Sequence, residues 1–251
     1  MYVIKHKDSV SGFISKRKKW EPTETIEIMK ALKYFSKKKN IRNENIYILD
    51  LGANIGWYSF FLGKYGYKVI SFEPSKRNFY ILKKNYCLNN DVNITLINKG
   101  LNIEEKKCDY YIQIGNEGNG LTICNENAHI QKILRKKGEI IVTRLSNYIP
   151  FLSQKNLIFI KVDVEGSEAK LFEGGIEIIT KYHVPFIFLE FAPNNLKMQR
   201  TNKKKFLQLF EDNGYKISIV NFLSKKYISI NEIIKINRLL NLYIIYTKVL
   251  E

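Results

Sequence analysis

Short, nearly continuous apolar runs alternate along this chain with longer stretches in which apolar residues return every three or four positions. That is the pattern of strands buried on both faces and separated by covering helices. Runs at about 46–51, 68–73, 92–97, 157–163, 184–191, 215–221 and 242–247 predict strands. Helices are predicted over about 23–38, 56–65, 75–89, 167–172 and 202–213, with Ile26, Met29, Leu32 and Phe35 marking the packed side of the first. Ser75 suits an N-cap, Asn89-Asn90-Asp91 a turn, and Gly174-Gly175 a helix stop. The alternation predicts an α/β fold with a doubly wound, mostly parallel sheet. Between the third strand and residue 157 the order is less regular: 109–114, a polar turn over 115–120, and 138–143 read as an inserted hairpin-like region with a long loop. Such a loop either contacts substrate or simply connects. No repeat or linker divides the chain, which organises as an N-terminal arm and packing helix over 1–45 and one domain over 46–251.

The first strand runs directly into chemistry. Ile48-Leu49-Asp50-Leu51-Gly52-Ala53-Asn54-Ile55-Gly56 joins a buried strand to a glycine turn and then a helix. Glycines let the backbone approach a ligand closely, and the helix start offers unpaired N–H groups. The second strand ends in Glu73, 21 positions after Gly52 (73 − 52), the separation at which a carboxylate accepts both ribose hydroxyls of an adenine nucleotide. The glycine spacing is Gly52-x-x-x-Gly56 and not the G-x-G-x-x-G of dinucleotide sites. With Asp50 ahead of it, the turn is similar to the first motif of S-adenosylmethionine (SAM) methyltransferases, which implies that Asp50 orients the glycine loop and the methionine end of the cofactor.

Four segments extend the resemblance: Asp50 to Ser59, then Phe72-Glu73-Pro74-Ser75, then Ile160-Lys161-Val162-Asp163-Val164-Glu165-Gly166-Ser167-Glu168, then Leu171-Phe172-Glu173-Gly174-Gly175. In order and content the chain resembles the FkbM family of SAM-dependent methyltransferases from about Trp20 to Pro193. The resemblance implies a class I, Rossmann-like methyltransferase fold with an N-terminal helical extension, and a SAM site built from Asp50, Gly52, Asn54, Gly56 and Glu73. It also implies O-methylation, most often of a sugar hydroxyl in a glycan or glycoconjugate. One departure stands out: where the family often carries an acid in a short element before the Asp163 strand, Arg144-Leu145-Ser146-Asn147-Tyr148 has Ser and Asn.

Ligands of open α/β sheets gather at the carboxyl ends of the strands, where Asp50, Glu73, Asp163 and Glu190 each close an apolar run. Two are assigned to the cofactor, leaving Asp163, Glu165, Glu168 and Glu190 near the acceptor. The sulfonium already activates the methyl group, so the protein must hold an oxygen in line and take up its proton. A carboxylate matches a sugar hydroxyl poorly unless burial raises the carboxyl pKa or a metal lowers that of the hydroxyl. Asp163 is the first candidate for general base or metal ligand, Glu190 the second. Some O-methyltransferases of this fold bind Mg²⁺ through acids at these two strand ends, and Asn194 and Asn195 follow as oxygen donors. Glu165 and Glu168 serve either the acceptor directly or the charge balance of a helix N-terminus. His183 falls at the amino end of its strand, away from chemistry; His129 lies in the inserted region and His6 in the arm.

Composition narrows the partners. The 251 residues carry a formal charge of +17, which invites a nucleic-acid reading, but lysine greatly outnumbers arginine, the better bidentate reader of phosphates and bases. The runs Ser15 to Lys19, Lys37 to Lys39 and Lys203 to Lys205 therefore read as solvated surface, or as contacts to an anionic substrate or membrane surface. Three cysteines, Cys87, Cys108 and Cys124, are odd in number and lack C-x-x-C spacing, arguing against a disulfide framework and a zinc site and for a reducing, cytoplasmic compartment, that of the host if the source is viral. No apolar stretch reaches the length of a membrane span. Two alternatives stay open: an RNA ribose methyltransferase, and a catalytically silent SAM-fold module. Asp163-Val164-Glu165-Gly166 lacks the N/D-P-P-Y/F tetrad of amino methylation.

Overall fold

The computed structural model describes residues 1–3, 9–17, 19–124, 132–152 and 155–250; His6, Lys18 and His129 lie outside them. Two helices come first, α1 (Ser9–Arg17) and α2 (Pro22–Lys39). They lead into β1 (Ile46–Leu51), α3 (Trp57–Lys64), β2 (Lys68–Phe72), α4 (Lys76–Cys87) and β3 (Ile94–Ile97). The insertion follows as β4 (Gly100–Leu101), β5 (Lys106–Gln113), β6 (Asn116–Ile123), β7 (Leu134–Thr143) and α5 (Ile149–Leu152). Then come β8 (Asn156–Val162), α6 (Glu168–Glu173), α7 (Glu177–Thr180), β9 (Phe186–Phe191), α8 (Pro193–Met198), α9 (Lys203–Asp212), β10 (Tyr215–Ser218), α10 (Ile230–Ile233) and β11 (Leu240–Tyr246).

Seven strands form one sheet in the order β3-β2-β1-β8-β9-β11-β10. β11 runs antiparallel to both neighbours, and the remaining pairs are parallel. This is the class I methyltransferase arrangement, and the alternation of side chains explains its continuous apolar runs. Leu49, Leu51, Ile160, Val162, Ile187 and Leu189 pack on one face with residues of α6 and α9. Ile46, Ile48, Phe159, Phe186 and Phe188 pack on the other with α2 and α3. Both faces are covered, so the strands are apolar along most of their length, and the buried polar residues Asp50, Ser71 and Lys161 stand near the carboxyl ends.

α2 differs from its expected face. Ile26 is 54% exposed, and the buried stripe is Thr25, Ile28, Met29, Ala31, Leu32 and Phe35. A strict step of three drifts off a 3.6-residue repeat, whereas this stripe follows it. Lys37, Lys38 and Lys39 close the helix, where cations suit the negative end of the dipole. Ser75 caps α4 as expected, accepting from the Asn78 N–H.

The insertion forms a second sheet, β4-β7-β5-β6. The expected polar turn over 115–120 is mostly strand: β5 and β6 make a tight hairpin whose tip is Ile114-Gly115. A second correction concerns the cysteines. Cys108 and Cys124 form a disulfide 16 residues apart, with Cα atoms 4.6 Å from each other, and Cys87 is free and exposed. The neighbouring pair Asp109 and Ile123 are directly opposite across the hairpin, so its register brings the two thiols together. An odd cysteine count says nothing of such pairing, and the argument for a reducing compartment loses its basis. Among the described residues no helix is long and apolar enough to cross a membrane.

Candidate active site

β1 connects outward to β2 on one side while β8 connects to β9 on the other, so a crevice opens where their carboxyl ends diverge. The loop after β1 fills one wall. Gly52, Asn54 and Gly56 all adopt left-handed backbone, with φ of 84°, 51° and 98°. A Cβ on Gly52 would lie 1.8 Å from the Asp163 carbonyl oxygen, and one on Gly56 would lie 2.4 Å from the Phe60 ring. Both positions therefore demand glycine twice over, by conformation and by space. The Gly52 and Ala53 N–H groups donate to the Phe72 carbonyl at 3.0 and 2.9 Å, tying the loop to the end of β2.

Glu73 completes that tie. One carboxylate oxygen accepts the Asn54 N–H at 2.8 Å and the other the Ser75 N–H at 2.9 Å. The side chain is buried, and burial outweighs these bonds in pushing its pKa up to about 7. Asn98 donates to the Glu73 and Pro74 carbonyls at 2.8 and 3.2 Å, fixing the turn.

Asp50 lies behind the loop, fully buried. It accepts from Ser59 Oγ at 2.5 Å, and Ser59 Oγ is 2.8 Å from Ser71 Oγ. Its other oxygen is 3.7 Å from Lys161 Nζ. Lys161 is itself buried and donates to the Gly52 carbonyl at 2.8 Å and to Asp163 at 3.2 Å. Burial alone would lower the Lys161 ammonium, but the carboxylates of Asp163, Asp50 and Glu21 together hold its pKa above the usual value. The lysine stays charged and bolts the glycine loop to β8.

Two clefts meet over this loop. The first, about 580 Å³, is bounded by Gly52, Asn54, Glu73, Asn78, Lys99 and Leu101, with Tyr110 and Thr122 of the second sheet across from them. The second, about 700 Å³, lies toward the N-terminal arm, between Trp20, Glu21, Trp57, Tyr58, Asn116 and Glu190. Asn54, Asp163 and Glu165 border both.

Carboxyls crowd that junction. Oxygens of Asp163, Glu165 and Glu190 lie within 4.8 Å of one another. Burial first, then the charges of Asp163 and Glu165, push Glu190 up to about 10; burial, then Asp163 and Glu168, raise Glu165 well above the usual carboxylate range. Glu165 has left-handed backbone at φ 53°, and its carboxyl accepts from Asn195 Nδ2 at 2.8 Å. Gly166 follows at φ 96°, its α-carbon packed so closely on Asn195 that a Cβ would stand 2.9 Å from it. Glu21, raised by burial and then held down in part by Tyr58, accepts from the Tyr58 hydroxyl at 2.6 Å. Glu168, in the first turn of α6, is buried and accepts the Gly166 N–H at 2.9 Å, serving the β8–α6 turn.

Of the residues singled out in the sequence, Gly52 and Glu73 line the first cleft, Glu190 the second, and Asn54, Asp163 and Glu165 both; Asp50 and Gly56 support the loop from behind. Asn195 reaches Glu165 directly. Leu145 to Tyr148 lines neither cleft, with Tyr148 packed edge-on against Phe72. His183 stands before β9 at the amino end of the sheet, stacked on Tyr246 at 4.6 Å. Sequence reasoning missed Trp20, Glu21, Tyr58 and Lys161. Only Lys161 left a signal, a cation two residues before a strand-end acid inside an apolar run.

The family model for the methyltransferase FkbM domain matches residues 50–217. The chain belongs to the FkbM methyltransferase family. The match marks residues 50–217 as a methyltransferase domain, and the glycine cradle and the Glu73 carboxyl fit a SAM cofactor. No curated protein matches the chain in sequence. Among solved structures it resembles WbdD in a 2.2 Å crystal structure, at 11% identity and TM-score 0.55, over 95% of this chain and 44% of that one. A structure of the bifunctional kinase-methyltransferase WbdD gives 10% identity and TM-score 0.54 over 95% and 43%. The FkbM chain thus spans less than half the length of these WbdD chains, and the likeness is one of fold. Magnesium protoporphyrin IX methyltransferase from Synechocystis PCC 6803, solved with bound SAM, is similar at 12% identity and TM-score 0.42 over 88% and 78%.

Proposed function

We propose that this enzyme methylates a hydroxyl oxygen, that of a sugar in a glycan or glycoconjugate, and that Asp163, Glu190 and Glu165 handle the proton. The observation that carries this reading is the junction itself: two clefts share Asn54, Asp163 and Glu165, so a group bound in the second cleft reaches the first only past these carboxyls. Gly52, Asn54, Gly56 and Glu73 hold the cofactor, with Asp50 and Lys161 keeping their loop in place. SAM supplies an activated methyl group on a positively charged sulfonium. Asp163 accepts the hydroxyl proton as the carbon–oxygen bond forms, with the Glu190 carboxyl beside it as a second site for that proton. A positive charge brought beside Glu165 and Glu190 would favour their ionised forms. The same three carboxyls would hold Mg²⁺ if the hydroxyl needs a metal to release its proton.

The test is transfer of labelled methyl from SAM into matched pools of glycans and total RNA, each with and without chelator. Label in saccharide is the expected outcome. Incorporation into RNA alone overturns the sugar assignment, and a chelator-insensitive rate removes the metal.

A further inference from the structure

We propose that Trp20 and Glu21 select the acceptor: with Trp57, Tyr58 and Glu190 they form a subsite for an uncharged or cationic polyhydroxylated ring that turns away sugars bearing phosphate or carboxylate. This deepens the sugar reading and rests on it. Both residues precede the family-matched segment, which starts at residue 50, and both border the second cleft.

The charge of the second cleft runs against that of the protein. On a chain of formal charge +17, this cleft is bordered among the described residues by four carboxyls, Glu21, Asp163, Glu165 and Glu190, and by one cation. That cation, Lys161, is already committed to the Gly52 carbonyl, Asp163 and Asp50. An anionic group entering there gains no new cation among the described lining residues and meets the Asp163 charge, and it makes Glu21, Glu165 and Glu190, already raised, still harder to ionise. A neutral ring finds the reverse, because ionised carboxyls accept from hydroxyls and protonated ones also donate. Two indole rings complete the lining, and aromatic faces suit the apolar flank of a ring and attract an ammonium group.

Glu21 is held for this task. It is the N-cap of α2, with φ 40° and ψ 61°, although it precedes Pro22, where the chain prefers extended backbone. A non-glycine residue kept in left-handed conformation costs energy, and such strain recurs at functional positions. The Tyr58 hydroxyl secures its carboxyl at 2.6 Å, and the body of α2 is anchored in the core. The Thr25 hydroxyl lies between the two tryptophans, donating to the Trp20 carbonyl at 3.4 Å and accepting from Trp57 Nε1 at 3.5 Å. Phe13 braces the Trp20 ring edge-on at 5.6 Å.

The chain has two tryptophans and both line this cleft, so intrinsic tryptophan fluorescence reads it directly. With the protein saturated by S-adenosylhomocysteine, methyl glucoside, glucosamine, glucuronate and glucose 6-phosphate are titrated in turn. Saturable changes are expected for the first two, with at least tenfold weaker responses for the two anions. Glu21→Gln narrows that discrimination at least threefold while calorimetric affinity for S-adenosylhomocysteine stays within twofold. Anions binding as well as neutral sugars, or no response to any of the four, overturns the subsite; the wild-type comparison decides this even if the variant fails to fold. Discrimination unchanged in a folded Glu21→Gln removes Glu21 from it. The labelled-methyl assay separates the two levels. Glycan methylation with unchanged selectivity in the variant defeats the subsite alone, whereas label in RNA alone defeats the sugar reading beneath it.

Discussion

The two halves of the site are built by different means. The half proposed for the cofactor uses two short stretches, 50–56 and 72–75, and is built through backbone: three left-handed residues, loop N–H groups on Phe72 and Glu73, and glycines whose places admit no side chain. The other half gathers side chains from five places in the chain, Trp20 and Glu21, Trp57 and Tyr58, Asn116, the β8 end, and Glu190. Backbone recognition needs contiguous sequence and particular residue types. Side-chain convergence needs only the fold to deliver groups from anywhere, which leaves it free to change with the acceptor while the cofactor loop stays fixed.

The contrast is tested hardest at Asp163, which borders both halves. Asp163→Asn keeps shape and removes the proton acceptor, so methyl transfer should fall by about 10²–10⁴-fold, the usual weight of a general base. Calorimetric SAM affinity should stay within a few-fold. Lost affinity in a folded variant would move Asp163 to the cofactor half and erase the division at that residue.

Glu73 tests the opposite half. Its truncation to alanine removes hydrogen bonds to a charged group and leaves the Asn54 and Ser75 N–H groups buried without it, about 1.5–3 kcal/mol or roughly 10–100-fold in SAM affinity. The loss should appear in the dissociation constant, with the rate at saturating SAM reduced far less. A variant that binds SAM normally but turns over slowly would show the halves to be mechanically one.

How much of this could be read beforehand follows the same line. β1 and the glycine turn were legible because a buried run, two glycines and a distant acid each restrict the chain locally. Asp163 and Glu190 were legible as strand ends and Glu165 as an acid just beyond one, but their mutual approach depends on β8 and β9 pairing in register. Trp20 and Glu21 gave no sign: the arm has no regular period, and only the packing of α2 on the sheet brings them over the loop. The disulfide escaped for a related reason, since the polar residues over 115–120 read as a turn and hid the hairpin that aligns Cys108 with Cys124.

The smallest expected effect is a pH dependence of stability. Glu73 and Glu168 are buried, and burial, named first among the causes for each, pushes both up to about 7 from an ordinary 4.5. Between those values the folded protein binds more protons than the unfolded chain, so these two groups make stability fall as pH rises from about 4.5 to 7, and Glu190, raised to about 10, carries the fall further. Glu21 and Glu190, also raised, contribute with the same sign. The midpoint of thermal unfolding of the ligand-free enzyme should therefore drop by several degrees between pH 5 and 7.5, at about 2–4 °C per kcal/mol for a chain of this size. Glu73→Gln, which cannot ionise, should flatten part of that slope. Saturating S-adenosylhomocysteine should flatten it too, because hydroxyl donors to Glu73 favour its charged form. Glu190→Gln should retain the flattening by ligand. If ligand flattens the wild-type slope and the Glu73→Gln slope equally, the cofactor is not reading Glu73, and the division of labour between the two halves fails on its cofactor side.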